Sequence, residues 1–378
     1  MFTEKELHKH PSLIKAFMGL PAEVFWQLIT DIQTRMSEYE AQRLARSTRR
    51  RAMGGGRAFD QPLVIRVALV LTYLRLHIIQ EAVAGLYGAT QSDVSRELRR
   101  LLPLLAELLP SPAVWEVVEE AALPAEAALP AEAVLPAEAA LPAEAVLPAE
   151  AVLPAEAVLP AEAVLPVETV PPAETALLSL VALADGRALV DATEQQVYRP
   201  QDSAEQKEFY SGKKKQFTLK TQFVTDGEHH IEAISISVPG ATHDKTLCDG
   251  VQTLEHLPDG TEVDADKGYQ GLAKQVRLVT VRNTATGVEQ QRPRLLVQTP
   301  FKKPKGGELT AEQNAFNLQL SRVRVRVEHC IGWVKNWAII ATRFRCAHGL
   351  YTLIMQVVCG LVNGQTQRWQ AAKTPVVA

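Results

Sequence analysis

The chain has 378 residues, of which 47% are hydrophobic and 22% are charged, and its formal net charge is −3 at pH 7. A chain of this length can bury one large core or two ordinary ones, and it is too evenly charged for a membrane protein. No apolar run approaches the ~18 residues that span a bilayer, and the N-terminal sequence MFTEKELHKHP lacks the apolar segment of a signal peptide. The four cysteines form no CxxC pair, which argues against a disulfide framework or a cysteine zinc site and favours the cytoplasm.

The first part of the chain predicts three helices between Pro62 and Leu109. The run VIRVALVLTYLRLHII has a continuous apolar face, QEAVAGLYG ends in Gly88, and a third helix begins at Thr90 with Asp93 three residues later. Two short helices joined by a glycine-containing turn predict a helix-turn-helix, whose second helix enters the major groove of DNA. The same pattern also fits an ordinary helical hairpin with solvated arginines.

In the helix-turn-helix interpretation, the start of the third helix contacts DNA. The side chains that we expect to meet bases or phosphates there are Gln91, Ser92, Ser95, Arg96, Arg99 and Arg100. The upstream run STRRRAMGGGR adds four arginines, which slightly favours phosphate contact.

Residues 123–176 form a tandem array of nine hexapeptides such as LPAEAA, LPAEAV and PPAETA. The array holds nine Glu and no Lys or Arg, so the rest of the chain has a net charge of +6, compatible with a polyanionic partner. Proline at every sixth position prevents a continuous helix, and the units lack the small corner residues of a left-handed β-helix. We therefore expect a semi-rigid linker at 119–176, between a helical helix-turn-helix domain at 1–118 and a second domain at 177–378.

The second domain begins with runs that have the pattern of strands. ALVDATEQQVYRP is a strand that contains Asp191, and QFTLKTQFVTD and HHIEAISISVPG alternate apolar and polar residues as antiparallel strands do. A helical stretch, HDKTLCDGVQTLEHL, precedes a further strand that ends in an acid within TEVDADKGYQG. Three strands, a helix, a fourth strand and later helices predict an α/β fold with a ribonuclease-H-like mixed sheet.

Three acids of this domain could form one site. Asp191 and Asp266 follow strands that we expect to be neighbours, and the helix RVRVEHCIGWVKNWAII adds Glu328, with Arg324 and Lys335 near the same helical face. Carboxylates suit hard cations, and two Mg²⁺ or Mn²⁺ ions about 4 Å apart can activate a water or a 3′-hydroxyl for displacement at phosphorus. Each acid alone also has an ordinary interpretation, as a turn cap or as the partner of a basic residue.

Five motifs in order carry a resemblance to a known family: VDATEQQVYRP, YSGKKKQFTLKTQ, PGATHDKTL, DADKGYQG and RVRVEHCIGWVKNW. Over roughly 180–365 the chain resembles bacterial insertion-sequence transposases of the DDE class, in the group numbered five, related to the Harbinger elements. The resemblance implies that Asp191, Asp266 and Glu328 are the catalytic, metal-binding acids. It favours Asp266 over Asp264, which would share the same strand face.

The family's signature places tyrosine, arginine, glutamate and lysine with two, three and six residues between them. Arg324, Glu328 and Lys335 match this spacing and are expected to contact DNA or metal, whereas Ser321 stands where the family has tyrosine. The long hexapeptide array is also unlike the family's short connection. A catalytically inactive, DNA-binding or repressor-like derivative therefore remains the alternative to an active transposase.

Basic residues near the strands have two interpretations, a solvated turn or a loop that grips phosphates near the metal. Within a nuclease-like sheet we favour the second for Lys213, Lys214, Lys215 and Lys220. The pair His243 and Asp244 evokes the HD phosphohydrolases, but that family needs further histidines in order. We expect His243 and Asp244 to support the metal ligands instead.

The resemblance implies a DNA transposase that binds terminal inverted repeats, hydrolyses the phosphodiester at each end and uses the freed 3′-hydroxyl to attack target DNA. The metals activate the nucleophile directly, so no covalent protein–DNA intermediate is needed. Because two ends must be brought together, we expect a homo-oligomer on double-stranded DNA, associated with the bacterial nucleoid and not with a membrane.

Overall fold

The structure is a computed structural model that describes residues 2–45, 59–118, 181, 183–282 and 289–373. The described residues on the two sides of the hexapeptide array belong to one compact unit. The array itself and the arginine-rich run STRRRAMGGGR lie outside the described residues, so the linker remains a prediction. Within the described ranges, no helix combines the length and the apolar character needed to cross a membrane.

The part before the array is helical. Its central helix, α4, is buried continuously from Val64 to Leu74, because its sequence is apolar on nearly every face and neighbouring helices cover all of them. The bounds of these helices are α1 (Glu4–Lys9), α2 (Pro11–Met18), α3 (Ala22–Leu44), α4 (Leu63–Leu76), α5 (Gln80–Tyr87) and α6 (Gln91–Leu108).

The corner between α5 and α6 forms as its local sequence predicts. α5 ends at Gly88, whose φ of 65° is a left-handed conformation that glycine adopts without strain. Thr90 then begins α6 with a capping box, in which its hydroxyl accepts the Asp93 N–H at 3.2 Å and Asp93 accepts the Thr90 N–H at 2.9 Å. Hydrogen bonds from Thr90 and Arg96 hold the pKa of Asp93 at about 2. The helices are present as predicted, and their role in DNA binding remains a prediction.

Among the described residues, eight strands form one mixed sheet and two form a separate hairpin. The bounds of the strands are β1 (Ala113–Trp115), β2 (Arg187–Gln196), β3 (Tyr210–Ser211), β4 (Gln216–Thr225), β5 (Ile231–Ser235), β6 (Val238–Pro239), β7 (Glu262–Ala265), β8 (Leu278–Arg282), β9 (Glu289–Pro293) and β10 (Leu296–Gln298). The main order is β1-β5-β4-β2-β7-β10, with β3 and β6 paired to β4, and β8 pairs with β9.

The directions of the strands confirm the predicted α/β fold with a mixed sheet. β2, β4 and β5 are antiparallel neighbours, whereas β7 and β10 continue the sheet parallel to β2. Two features were not predicted. β1, which precedes the array, adds to the sheet edge parallel to β5, and the hairpin β8–β9 is inserted between β7 and β10.

The later helices cover the sheet. α9 packs against β2, β4 and β7, and α11 packs against α6, α9 and β5. Their bounds are α7 (Ser203–Phe209), α8 (Asp244–Gly250), α9 (Ala311–Val334), α10 (Ala338–Ala341) and α11 (Tyr351–Lys373).

The parts on the two sides of the array share a hydrophobic core. One cluster joins residues of α4 and α6, such as Leu69 and Leu102, to Trp337 and Met355 beyond the array. A second cluster contains Val190, while its neighbour Leu189 belongs to the first, because successive residues of a strand face opposite sides of the sheet. Because the first cluster contains residues from both sides of the array, it does not separate the chain at 118 and 177. The predicted domain boundaries there remain a prediction.

His77 connects the end of α4 to the segment after α9. It ends α4 in a left-handed conformation with φ 46°, its Nδ1 lies 2.6 Å from Thr342 Oγ1, and its carbonyl accepts a hydrogen bond from Arg345. Burial and the nearby charge of Arg345 lower the pKa of His77 to about 4, well below its ordinary value. The folded chain therefore keeps this imidazole neutral at a pH where the unfolded chain would bind a proton.

We predict that this difference makes the protein less stable as the pH falls from 7 to 5, by up to about 2 kcal/mol from His77 alone. His77→Asn should remove this contribution, because Asn tolerates the left-handed conformation and has no titrating group. Urea denaturation at the two pH values measures it, with the exposed His10→Asn as a matched control. An identical pH dependence in His77→Asn and the wild type would contradict the prediction.

Candidate active site

The first two predicted acids lie side by side in the sheet. β2 and β7 are parallel neighbours, and their register pairs Val190 with Ala265. Asp191 and Asp266 are the residues that follow this pair in the chain. β7 ends at Ala265, but β2 continues past Asp191 because β4 goes on pairing with it, with Asp191 opposite Phe223. Asp191 is thus inside a strand and Asp266 directly follows one.

Arg324 joins these two acids. Its Nη1 lies 3.0 Å from Asp266 Oδ1 and its Nη2 lies 3.7 Å from Asp191 Oδ2. Its side chain is only 9% exposed, and its Nε has no hydrogen-bond partner among the described residues. We predicted that Arg324 contacts DNA; the structure instead places it inside the chain as the cation between two carboxylates.

Asp191 is half-buried, and this raises the pKa of its carboxyl group. Burial raises its pKa to about 6, although the Ala192 N–H donates to it at 2.8 Å and Arg324 lies near. The charges of Asp266 and Asp244 add to the increase. A buried carboxylate in this state gains from an additional cation.

Glu328 is close to Arg324 in sequence but is not joined to the pair of aspartates. It lies one helical turn after Arg324 on α9, is exposed, and forms no hydrogen bond or ion pair with a described residue. Within the described part of the chain, no three His, Cys, Asp or Glu side chains are grouped closely enough to hold a metal ion. The structure therefore brings together Asp191 and Asp266, and leaves Glu328 exposed on α9 outside this pair.

Lys220 is not available to phosphate, contrary to our prediction. It is 6% exposed, and its ammonium donates to Asp244 Oδ1 at 2.7 Å and to the Thr242 carbonyl. Glu194, directly opposite it in the β2–β4 register, lies 3.7 Å away. A buried ammonium with these acceptors is an internal counter-charge.

His243 and Asp244, predicted to support the metal ligands, begin α8. The Nδ1 of His243 accepts the Lys245 N–H at 3.3 Å and so caps the helix. Asp244 holds Lys220 and is close enough to raise the pKa of Asp191. Asp244 thus supports the site through Lys220, whereas His243 acts on α8.

Asp264, the alternative to Asp266, has a different partner. It is fully buried, and its Oδ2 accepts a hydrogen bond from Arg187 at 2.8 Å. Arg187 also pairs with Glu262 on the same strand. Because Asp266 is the more exposed and lies beside Asp191, the geometry supports Asp266 as the ligand candidate.

The other lysines that were predicted to contact phosphate lie in one turn and at the end of α9. Lys213, Lys214 and Lys215 are exposed in the turn between β3 and β4. Partial burial and the charge of Lys214 lower the pKa of Lys335, so the end of α9 and this turn lie near each other. These four side chains remain candidates for contact with phosphate.

The residues predicted to bind DNA on α6 separate into two groups. Arg100 is half-buried, pairs with Glu40 at 3.0 Å and lies over the Phe59 ring at 4.4 Å, so it stabilises the packing of α6. The other residues are exposed or half-buried at the start of the helix: Gln91, Ser92, Ser95, Arg96 and Arg99.

Comparison with known proteins agrees with this geometry. Residues 190–363 match the profile of the DDE superfamily endonucleases. Over 177 residues the chain is 34% identical to the protein described as "Probable transposase for insertion sequence element IS702" from Microchaete diplosiphon, covering 46% of this chain and 55% of that protein. The chain spans about half the length of the curated relative that it matches, and no solved structure matches it.

The matched region, residues 190–363, contains all three predicted acids and the whole of α9. The predicted resemblance to bacterial insertion-sequence DDE transposases is confirmed, whereas the placement in group five and the relation to Harbinger remain predictions. Endonucleases of this superfamily use divalent metal ions. The carboxylate oxygens of Asp191 and Asp266 fit such an ion, because they are hard ligands that lie beside each other.

The sequence analysis missed two features of this site. Glu194 and Lys220 form a pair across β2 and β4, which no sequence pattern reveals because the register is set by the fold. The bridging role of Arg324 could have been suspected, since it lies four residues before Glu328 on one helical face.

We predict that Arg324→Gln lowers the free energy of unfolding by about 3 kcal/mol, because Asp191 and Asp266 then lose the buried guanidinium that pairs with both. Chemical denaturation at pH 7 measures the loss. Arg322→Gln, exposed on the same helix, should change stability by less than about 0.5 kcal/mol. Adding Asp191→Asn to Arg324→Gln should recover part of the loss. Equal effects of the two arginine substitutions would show that the bridge contributes nothing.

Proposed function

We propose that this chain is a DNA transposase that cleaves the ends of its element and joins them to target DNA. One observation carries the proposal: in a DDE domain, Asp191 and Asp266 are placed side by side with only one cation, Arg324, between them. Two adjacent carboxylates are the kind of ligand that metal-dependent phosphodiester chemistry uses.

The acids would bind the metal ions, Mg²⁺ or Mn²⁺, and two ions would be used. When bound, such ions activate a water or a 3′-hydroxyl and stabilise the leaving oxygen at phosphorus. Mg²⁺ keeps several waters and takes few protein carboxylates, so Asp191 and Asp266 are sufficient for its first protein contacts. Glu328 would supply the third carboxylate from α9.

Arg324 acts as the counter-charge of the acids in the metal-free chain. Its guanidinium compensates Asp191 and Asp266 in the interior, where two uncompensated carboxylates would repel each other. Lys220 of β4 compensates the charges of Glu194 and Asp244 in the same way. These two cations keep a strongly acidic site folded until it binds metal and DNA.

The order of the strands supports a ribonuclease-H-like fold for this domain. Three antiparallel strands, β5, β4 and β2, are followed by β7 and β10 parallel to β2. In such a sheet, Asp191 and Asp266 meet where the antiparallel and parallel halves adjoin, and α9 crosses the same region.

The helices α5 and α6 would recognise DNA as a helix-turn-helix. Arg96 and Arg99 are exposed at the start of α6, where they can contact phosphates, and Gln91 and Ser92 can reach base edges. We infer that this helix binds the terminal inverted repeats. The joining of two ends implies a homo-oligomer on double-stranded DNA in the bacterial nucleoid, without a membrane partner. The inactive derivative is not favoured, because Asp191, Asp266 and Glu328 are all intact.

We predict that Asp191→Asn, Asp266→Asn and Glu328→Gln each reduce Mg²⁺-dependent cleavage of a plasmid carrying the coding sequence and its flanking DNA to background. Each change removes a charge that binds metal while preserving the shape of the side chain. Glu312→Gln, exposed at the start of the same helix as Glu328, should cleave like the wild type. The assay is gel analysis of nicked and linear plasmid, and cleavage that persists in the aspartate variants would refute the assignment.

We predict that Arg96→Gln and Arg99→Gln weaken binding to the flanking DNA, since each removes one phosphate contact, while both fold normally. Arg100→Gln should instead lower the free energy of unfolding by about 1 to 3 kcal/mol, because its pairs with Glu40 and Glu97 are half-buried. Mobility-shift assays and thermal denaturation separate the two effects. Unchanged DNA affinity in Arg96→Gln and Arg99→Gln would argue against the helix-turn-helix role.

A further inference from the structure

A cleft of about 440 Å³ opens beside Asp266. Its wall is formed by segments that are far apart in sequence: β2 and β4, the turn after β3, the start of α8, the residues after β7, and the loop between β10 and α9. The charged residues that line it are Glu194, Lys213, Lys220, Asp244, Asp266, Lys267 and Lys302.

The acids of the cleft lie beside two cations of the chain, Lys220 and Arg324. Lys220 lies between Glu194 and Asp244, at 3.7 Å and 2.7 Å, and is buried with them. Arg324 pairs with Asp266 at 3.0 Å. Together with Asp191, which shares Arg324, the four acids and two cations leave two negative charges, so the three remaining lysines outnumber them by one.

Three lysines of the cleft are exposed and have no such partner. Lys213, Lys267 and Lys302 come from three different loops, and none of them forms an ion pair with a described residue. Three ammonium groups around one cleft repel each other unless an anion lies between them. Their arrangement is therefore typical of a site for a polyanion.

The loop that carries Lys302 is fixed to the rest of the site. Asn317 of α9 accepts the Phe301 N–H at 2.8 Å and donates to the Phe301 carbonyl at 3.1 Å. Gln270, four residues after Asp266, donates to the Pro300 carbonyl at 2.7 Å. Because the two residues before Lys302 are held by α9 and by the segment after β7, Lys302 keeps its place on the cleft.

We propose that Lys213, Lys267 and Lys302 bind a DNA phosphodiester group next to the bond that is cut. This inference rests on the proposed function, and it adds Lys267 and Lys302 to the residues that would hold the substrate. Ammonium groups act as point charges and bind phosphate irrespective of the base, so the site would position a strand without reading its sequence. Lys267 directly follows Asp266, which places the bound phosphate adjacent to the catalytic acids.

The neighbouring residue Lys303 provides a matched control. It lies on the same loop, carries the same charge and is exposed, but it pairs with Glu308 at 3.7 Å and does not line the cleft. Lys302→Gln and Lys303→Gln therefore change the net charge of the protein equally. A difference between them reports the position of the lysine and not the total charge.

The test is fluorescence anisotropy with a labelled random-sequence DNA duplex and the full chain, titrated with KCl in the presence of Ca²⁺. Each phosphate contact contributes about 0.9 to the slope of log affinity against log salt. Lys302→Gln and Lys267→Gln should each reduce the slope by about that amount, Lys302→Arg should retain it, and Lys303→Gln should match the wild type. Thermal denaturation of the same samples confirms that each variant is folded.

If Lys302→Gln and Lys303→Gln gave the same slope while Asp191-dependent plasmid cleavage persisted, the phosphate site would be wrong and the transposase function would stand. If the wild type neither bound the duplex with a salt-dependent affinity nor cleaved the plasmid, both would be wrong. A reduced slope in Lys302→Gln and Lys267→Gln, restored in Lys302→Arg, supports the site.

Discussion

The bridge from Arg324 to Asp191 and Asp266 is the interaction on which the site depends. Parallel pairing of β2 with β7 places the two carboxylates beside each other, and the partial burial of Asp191 makes its charge costly. A single guanidinium from α9 compensates both. The position of α9 over the sheet is thereby coupled to the charge state of the acids.

The helix α9 also relates the acids to the surfaces that would hold DNA. Arg324, Glu328 and Lys335 follow one another along it, and Asn317 at its first half fixes the loop of Lys302. A rigid helix of 24 residues thus sets the spacing between the acid pair and two basic segments. Displacement of Arg324 by a metal ion would act on the same element that positions the substrate.

The N-terminal helices belong to the same compact unit as the sheet and α9. Arg75 of α4 donates to the Asn336 carbonyl just after α9 at 2.6 Å, and His77 contacts Thr342 a few residues later. β1 adds a strand to the edge of the sheet. A DNA duplex bound at α6 would therefore contact the same compact unit that carries Asp191 and Asp266.

Much of this arrangement follows from local patterns in the sequence. Alternation of apolar residues predicts β2, β4 and β5, and the cap at Thr90 predicts the start of α6, because these features depend on neighbouring residues alone. The burial of Lys220 could not be predicted, since it depends on the strand register that sets it opposite Glu194. The pairing of β1 with β5 could not be predicted either, because three residues carry too little pattern to be identified as a strand.

Diffraction from crystals of the full chain soaked in Mn²⁺, recorded at the manganese absorption edge, would locate the metal site. We expect an anomalous peak next to the carboxylates of Asp191 and Asp266, with Arg324 moved away from both. A manganese ion found elsewhere, with the Arg324 bridge intact at full occupancy, would contradict this expectation.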